Sequence, residues 1–464
     1  MGDACSLVDA FRAGTISPTE ALEESLAAVK ASKLNAVCFV DEEQARETAA
    51  AADVSLPFGG VPIGVKELDP VKGWPQTEAS LVFKDRIAEY DGTMTARLRA
   101  AGAVLAAQTT ASEFGGINCT YTRLHGATSN PYDLERTPGG SSGGSAASVS
   151  GGLFPLATGG DGGGSIRIPA GFTGLFGLKS TFGRIPKGPR TEIEPLTTVL
   201  GCVSRSVRDT ARWFDVCNGY DEYDPFSLPR VEGWEAGLGQ QDIRGRRVAV
   251  SIDLGAAVVA SAVRDRVEEA ADLLIKDVGL ERVDVPIELP RGGLEWAMAG
   301  MASLLVGLGD RYPACESEFT PEIMLGANIA TNHFTVETAK NIEAFRRQMI
   351  VAMADIFQRV DFVICATNPD VAFGAEGPMP TMVDGRDLIS ELGFEAALGN
   401  NGALTIPANT TGHPAAAIPV GLVEGLPVSM QVIARRHTEP LLLDLARLVE
   451  LERPWPVVAP GAPI

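Results

Sequence analysis

The chain has 464 residues, enough for one large domain or two to three ordinary ones, and its 45% hydrophobic and 21% charged content is that of a folded globular protein. Its 39 Lys+Arg against 59 Asp+Glu leave a net charge of −20, a surface that repels phosphate backbones and anionic lipid and so argues against nucleic acid or a membrane as a direct partner. The seven cysteines (5, 38, 119, 202, 217, 315 and 365) are scattered and never spaced CxxC, which argues against a disulfide framework or a zinc site and for a reducing cytoplasm.

The N-terminus has no basic region followed by an apolar one and does not read as a secretory signal. The first 50 residues look helical. Ser17-Pro18-Thr19-Glu20 is a capping box with proline at the first helical position, and predicts a helix to about Ala31. Phe58 to Lys66 reads as a turn entering a short buried strand that ends in a charge. Residues 93–101 read as a helix and Ala103 to Ala107 as a strand. From Pro138 to Ser165 there are eleven Gly and six Ser in 28 residues. A flexible linker has that composition, but Ala146 to Ser150 and Leu153 to Ala157 inside it can pack as a helix and a strand. Further on, Arg247 to Ile252 and Asp361 to Cys365 read as buried strands, Val263 to Leu274 carries apolar residues at helical spacing, and 336–357 predicts a long amphipathic helix. Trp296 to Gly309, the longest apolar run, is 14 residues and too short to cross about 30 Å of hydrocarbon. The end reads as strand (Ala415 to Val420), Gly-Leu-Pro turn, strand (Val428 to Ala434) and a Thr438-capped helix to Leu451. Strands alternating with helices predict an α/β fold.

Several standard sites are missing from the sequence. There is no Walker A sequence, HExxH or clean GxGxxG, and His125, His333, His413 and His437 show no ligand pairing and read as structural. Gly139 to Gly143 satisfies GxSxG, but a nucleophile elbow needs an apolar strand before it, and Asp133 to Pro138 is polar and ends in proline. The alternative is a catalytic surface made of glycine peptides. Gly159 to Ser165 can turn several N–H groups toward one point beside a hydroxyl, the arrangement that stabilises an oxyanion, while Gly139 to Gly144 presents Ser141 and Ser142. Lys66, at the end of a buried strand, is the unassigned cation.

These segments resemble the amidase signature family of Ser-Ser-Lys hydrolases. Pro138 to Ala147, Asp161 to Pro169, Gly174 to Lys179 and Phe182 to Ile185 match its signature. The likeness extends through Gly60 to Lys66, Leu98 to Ala103, Glu113-Phe114, Arg205 to Asp209, Asn409 to Pro414 and Gly425 to Gln431. The resemblance implies a single α/β domain over 1–464, with a central mixed sheet covered by helices on both faces. Its parts would be an N-terminal helical segment 1–55, a signature core 56–215, a variable substrate-funnel region 216–345 and a C-terminal part 346–464 completing the sheet. It implies Ser165 as nucleophile, Ser141 as a bridging serine in a cis peptide and Lys66 as base. The oxyanion hole would be the N–H groups of Gly162, Gly163, Gly164 and Ser165. Gly115, whose carbonyl would receive a substrate N–H, together with Ser142 and Ile168, would face the substrate, and Asp161 and Arg167 would hold the loop. Gly160, Glu67-Leu68 and Ser180 depart from the family pattern and put the surroundings of the site in question.

The implied reaction is hydrolysis of amides, anilides or carbamates (urethanes) with apolar acyl or aryl groups, with esters as a side activity and no cofactor or metal. The alternative is the glutamine-hydrolysing A-type component of a tRNA-dependent amidotransferase, which normally has Gln where Ile168 stands. A monomer or homodimer in the cytoplasm, acting on a small molecule, is expected. A lysine base works only as the neutral amine, which at pH 7 requires a shift of about 3 units, or about 4 kcal/mol, supplied by burial.

Overall fold

The computed structural model describes residues 2–192 and 195–464. The buried strand read from Phe58 to Lys66 forms over Pro62–Lys66, every residue of it buried. Gly64 lets its neighbours close in, since a Cβ there would lie 2.8 Å from Thr109 Cγ2 and 3.2 Å from the Phe154 ring. Eleven strands make one mixed sheet. They are β1 (Val37–Val40), β2 (Pro62–Lys66), β3 (Val104–Thr109), β4 (Leu156–Asp161), β5 (Phe176–Lys179), β6 (Val199–Ser204), β7 (Arg247–Val250), β8 (Glu281–Arg282), β9 (Phe362–Ala366), β10 (Ala415–Val423) and β11 (Leu426–Ala434). Across the sheet they run β1-β3-β2-β4-β6-β5-β10-β11-β9-β7-β8. β2 is parallel to β3 and β4, while β10 is antiparallel to both β5 and β11. Helices cover both faces around a core that includes Trp213, Phe214, Phe176 and Phe362. Among the described residues no helix is long and apolar enough to cross a membrane.

The capping box at Ser17 is formed with both of its hydrogen bonds, and its helix runs Pro18–Ala31. The long helix is Val336–Phe357. Four expectations need correcting. The N-terminal segment is not wholly helical, because β1 adds an edge strand antiparallel to β3. The strand expected at Leu153 begins only at Leu156, after Pro155, which has no N–H for the ladder. The turn of the last hairpin is Glu424-Gly425, with φ of 52° and 82°, so Leu426 and Pro427 already belong to the strand; two consecutive positive φ values are those of a type I′ hairpin, which glycine at the second position favours. Thr438 does not cap the final helix, Glu439–Glu452, through its side chain: its hydroxyl instead donates to the Arg435 carbonyl at 2.6 Å.

This topology puts the ends of two adjacent parallel strands together. Lys66 closes β2 and Asp161 closes β4, with Ser165 four residues further on. Crevices at the carboxyl ends of parallel strands are where open α/β sheets bind ligands.

Candidate active site

Lys66 is buried, and its ammonium nitrogen donates to Ser141 Oγ at 2.8 Å and to Ser142 Oγ at 3.0 Å. Burial lowers its pKa from 10.5 to about 8, although the carboxylates of Asp69, Asp161, Glu67 and Glu78 pull the other way. The depression is somewhat smaller than the expected shift, so the neutral amine is the minority form at pH 7 and the majority form only above about pH 8. The backbone is held as firmly as the side chain. Lys66 N–H donates to Thr158 Oγ1 at 2.9 Å, and the Thr158 hydroxyl donates to Asp69 at 2.6 Å. Burial raises the pKa of Asp69 to about 6.

Glu67, one of the departures from the family pattern, packs behind the lysine. Its Oε1 accepts the Ala111 N–H at 2.7 Å, and its Oε2 accepts the Thr77 hydroxyl at 3.0 Å and pairs with His125 Nε2 at 2.9 Å. Cys38, Glu67 and His125 bring ligand-type atoms within 4.8 Å of one another; a hydrogen bond joins Glu67 to His125, while Cys38 Sγ donates to the Gln108 carbonyl at 3.6 Å.

Ser141 follows a cis Gly140–Ser141 peptide bond. It precedes the buried helix Gly143–Ser150, where a Cβ on Gly144 would come within 2.5 Å of Thr110 atoms. Ser165 opens into the same cavity as Lys66 and Ser141. Its carbonyl accepts the Ser142 N–H at 3.2 Å. The Ser141 and Ser165 hydroxyls are not hydrogen-bonded to each other, so of the two links in the expected relay the first is closed and the second open.

The glycine loop is fixed carbonyl by carbonyl. Asp161 O accepts from Asn409 Nδ2 at 2.8 Å, Gly162 O from Trp296 Nε1 at 2.8 Å, Gly163 O from the Thr405 hydroxyl at 2.6 Å and Gly164 O from the Ile168 N–H at 2.7 Å. In a trans peptide the N–H points opposite the carbonyl, so these anchors also aim the N–H groups. Gly164 is a correction: its N–H donates to Asp161 Oδ1 at 2.8 Å and is not presented to the cavity, leaving those of Gly162, Gly163 and Ser165. Asp161 and Arg167, close in sequence on either side of Ser165, meet in the fold. They form a fully buried bidentate pair at 2.9 and 3.0 Å, and Arg167 also donates to Thr405 O and Asn409 Oδ1. The Arg167 guanidinium holds the Asp161 carboxyl far below the ordinary carboxylate range against the effect of burial.

The cavity in front of Lys66 measures about 450 Å³. Phe83, Phe114, Tyr90, Leu200, Trp296 and Leu304 are among its walls, Gly115 lies beside Ser141, and Glu78, Arg86 and Glu192 bring charge to its lining. Glu78 pairs with Arg86 at 2.7 Å. Of the segment 216–345 the part that reaches the cavity is the helix Gly293–Leu308, through Trp296, Ala297, Gly300, Ser303, Leu304 and Gly307. Two expected substrate-facing residues do not face it. Ser142 is fully buried with its hydroxyl on Lys66 and the Gly160 peptide. Ile168 is packed with Phe172 and Ala372 in a small core. Sequence reasoning missed Thr158, Asp69, Thr405 and the anchoring role of Asn409. It noticed Trp296 only as an apolar residue of the expected substrate funnel, not as an anchor of the loop.

The chain is similar to known proteins along nearly its whole length. A family model described as Amidase matches residues 20–443. The A-type component of the glutamyl-tRNA(Gln) amidotransferase of Lactobacillus delbrueckii subsp. bulgaricus is 32% identical over 476 aligned positions, covering 96% of this chain and 95% of its own. Among solved structures, a bacterial aryl acylamidase of the amidase signature family superposes with a TM-score of 0.89 at 27% identity, covering 98% of this chain and 96% of its own. The 6-aminohexanoate cyclic dimer hydrolase, solved with its substrate, has a TM-score of 0.89 at 28% identity, covering 100% and 99%.

Proposed function

The chain belongs to the amidase signature family of C–N hydrolases, and on that premise we propose that it is a stand-alone amidase for amides, anilides or carbamates with apolar acyl or aryl groups. The observation that carries this reading is the 2.8 Å contact between the Lys66 amine and Ser141 Oγ at the base of a cavity walled by Phe83, Phe114 and Leu200.

In the proposed reaction the neutral Lys66 amine takes the Ser141 proton while Ser141 takes that of Ser165. The second transfer requires the Ser165 and Ser141 hydroxyls to come within hydrogen-bond reach of each other. Ser165 Oγ attacks the carbonyl carbon, and the electron pair displaced onto oxygen is held by the N–H groups of Gly162, Gly163 and Ser165. Run backwards, the relay protonates the leaving nitrogen, and water then releases the acyl group from Ser165 by the same path. A positioned base contributes about 10²- to 10⁴-fold and each oxyanion donor about 10²- to 10³-fold. The Gly115 carbonyl would receive a substrate N–H. The proposal includes 1–464 as one catalytic unit with its funnel in 216–345, no cofactor, a monomer or homodimer, and a cytoplasmic location.

Curated sequence relatives favour a second reading, a glutamine-hydrolysing component that works inside a complex. The two readings separate on the purified chain. The first expects turnover of p-nitroacetanilide and of longer acyl anilides or phenyl carbamates, with fluorophosphonate labelling at Ser165. Failure on that whole panel, together with glutamine hydrolysis that requires the other amidotransferase components to be added, would establish the second.

A further inference from the structure

We infer that Trp296 is a positioning residue for the oxyanion, acting through the Gly162–Gly163 peptide; this rests on the hydrolase reading above. Its indole N–H donates to Gly162 O at 2.8 Å. Its ring lies against Gly163 so closely that a Cβ there would be 2.5 Å from the nearest ring carbon. The Gly163 N–H, on the opposite edge of that peptide, is thereby turned away from the indole.

The two peptides that follow are also held from close by in sequence, through Gly164 N–H to Asp161 and Gly164 O to the Ile168 N–H, and the preceding Asp161 carbonyl is held by Asn409. The Gly162–Gly163 peptide has a glycine on each side, so a flip meets little steric resistance. Among the described residues, Gly162 O is held by no group other than the Trp296 indole. When Ser165 Oγ bonds to the carbonyl carbon, the π pair moves to oxygen and the serine proton passes toward Lys66. Charge then develops where the Gly163 N–H must already point. A donor that depends on one remote hydrogen bond for its direction is lost when that bond is removed, even if the cavity keeps its shape.

Two variants test this. Trp296→Phe removes the N–H and part of the ring. Trp296→3-benzothienylalanine, installed by an expanded genetic code, replaces the N–H by sulfur and keeps the ring outline. For an acyl anilide that the wild type cleaves, both should lower kcat about 10- to 100-fold with KM changed by less than about threefold. Affinity for the matching trifluoromethyl ketone, whose adduct with Ser165 carries the oxyanion, should fall by the same factor as kcat. Affinity for the product acid should not move. An unchanged kcat, or a rise in KM with the ketone affinity intact, in the benzothienyl variant would overturn the inference while leaving the hydrolase reading standing. Absence of turnover and of fluorophosphonate labelling in the wild type would overturn both.

Discussion

Lys66 contacts the hydroxyl of Ser141 at 2.8 Å and has no ion-pair partner among the described residues, so its charge is opposed by burial and supported by two serine hydroxyls and by carboxylates at a distance. The sign of the pH dependence follows. The base is active when neutral, and its pKa in the folded chain is about 8. Hence kcat/KM for an anilide should rise about tenfold per pH unit below 8 and level off above it. The nearby Asp69 and Glu78, held by burial at about 6 and about 7, titrate below that point. A pH–rate profile levelling below pH 7 would contradict the assignment. The same depressed pKa predicts that stability increases with pH between about 8 and 10.5, because the unfolded chain binds the extra proton there. Urea midpoints at pH 8 and pH 10 in wild type and Lys66→Met isolate that contribution.

Ser142 is expected to act on the lysine and not on the substrate. Ser142→Ala removes one of the two hydroxyls on the Lys66 amine and the contacts to the Gly160 peptide. Steady-state kinetics above about pH 8, where the lysine starts neutral and gains charge as it takes the proton, should show kcat lower by about tenfold, equivalent to about 1.4 kcal/mol for a lost hydrogen bond to a charged group, with KM close to wild type.

Arg167→Met leaves the buried Asp161 carboxylate without its partner, at a cost of about 3–5 kcal/mol. Denaturant unfolding at pH 7 measures it. Because the folded pKa of Asp161 lies below its unfolded value, the pair's contribution is fully present above about pH 4 and fades as the pH falls further. The wild-type advantage over Arg167→Met should therefore shrink in acid.

Gly300 lines the cavity, and a Cβ there meets no atom within 4 Å. Gly300→Leu should project into open space and narrow the channel. A series of anilides with graded acyl groups should show kcat/KM falling at least about tenfold for bulky groups, with the acetyl compound little changed.

How much of this is legible in the sequence depends on distance along the chain. Lys66, Ser141 and Ser165 stand in short motifs of small residues, and the need for close backbone approach leaves a local record, such as Gly144 against Thr110. The Trp296–Gly162 bond spans 134 positions and the Thr405–Gly163 bond 242, and one sequence carries no local pattern for such pairs. Ser142 and Ile168 illustrate the opposite error. Each sits close in sequence to a functional residue, yet the backbone turns successive side chains to different sides, so one meets the lysine and the other the core. Most strands and the helices Pro18–Ala31, Ser261–Val278 and Val336–Phe357 are legible from caps and periodicity, whereas the helix Gly293–Leu308 reads only as an apolar run. The hairpin turn at Glu424-Gly425 reads too late in the sequence because Pro427 resembles a turn residue while sitting inside a strand.

The loop that carries Ser165 is anchored by Thr405 and Asn409, and the middle of the sheet is filled by β10 and β11, all drawn from the last 60 residues of the chain. Residues 405–434 must therefore have been made before the nucleophile, more than 200 positions earlier, can be set in place. Chains cut off before residue 405 should be catalytically silent, although Lys66, Ser141 and Ser165 are all present in them.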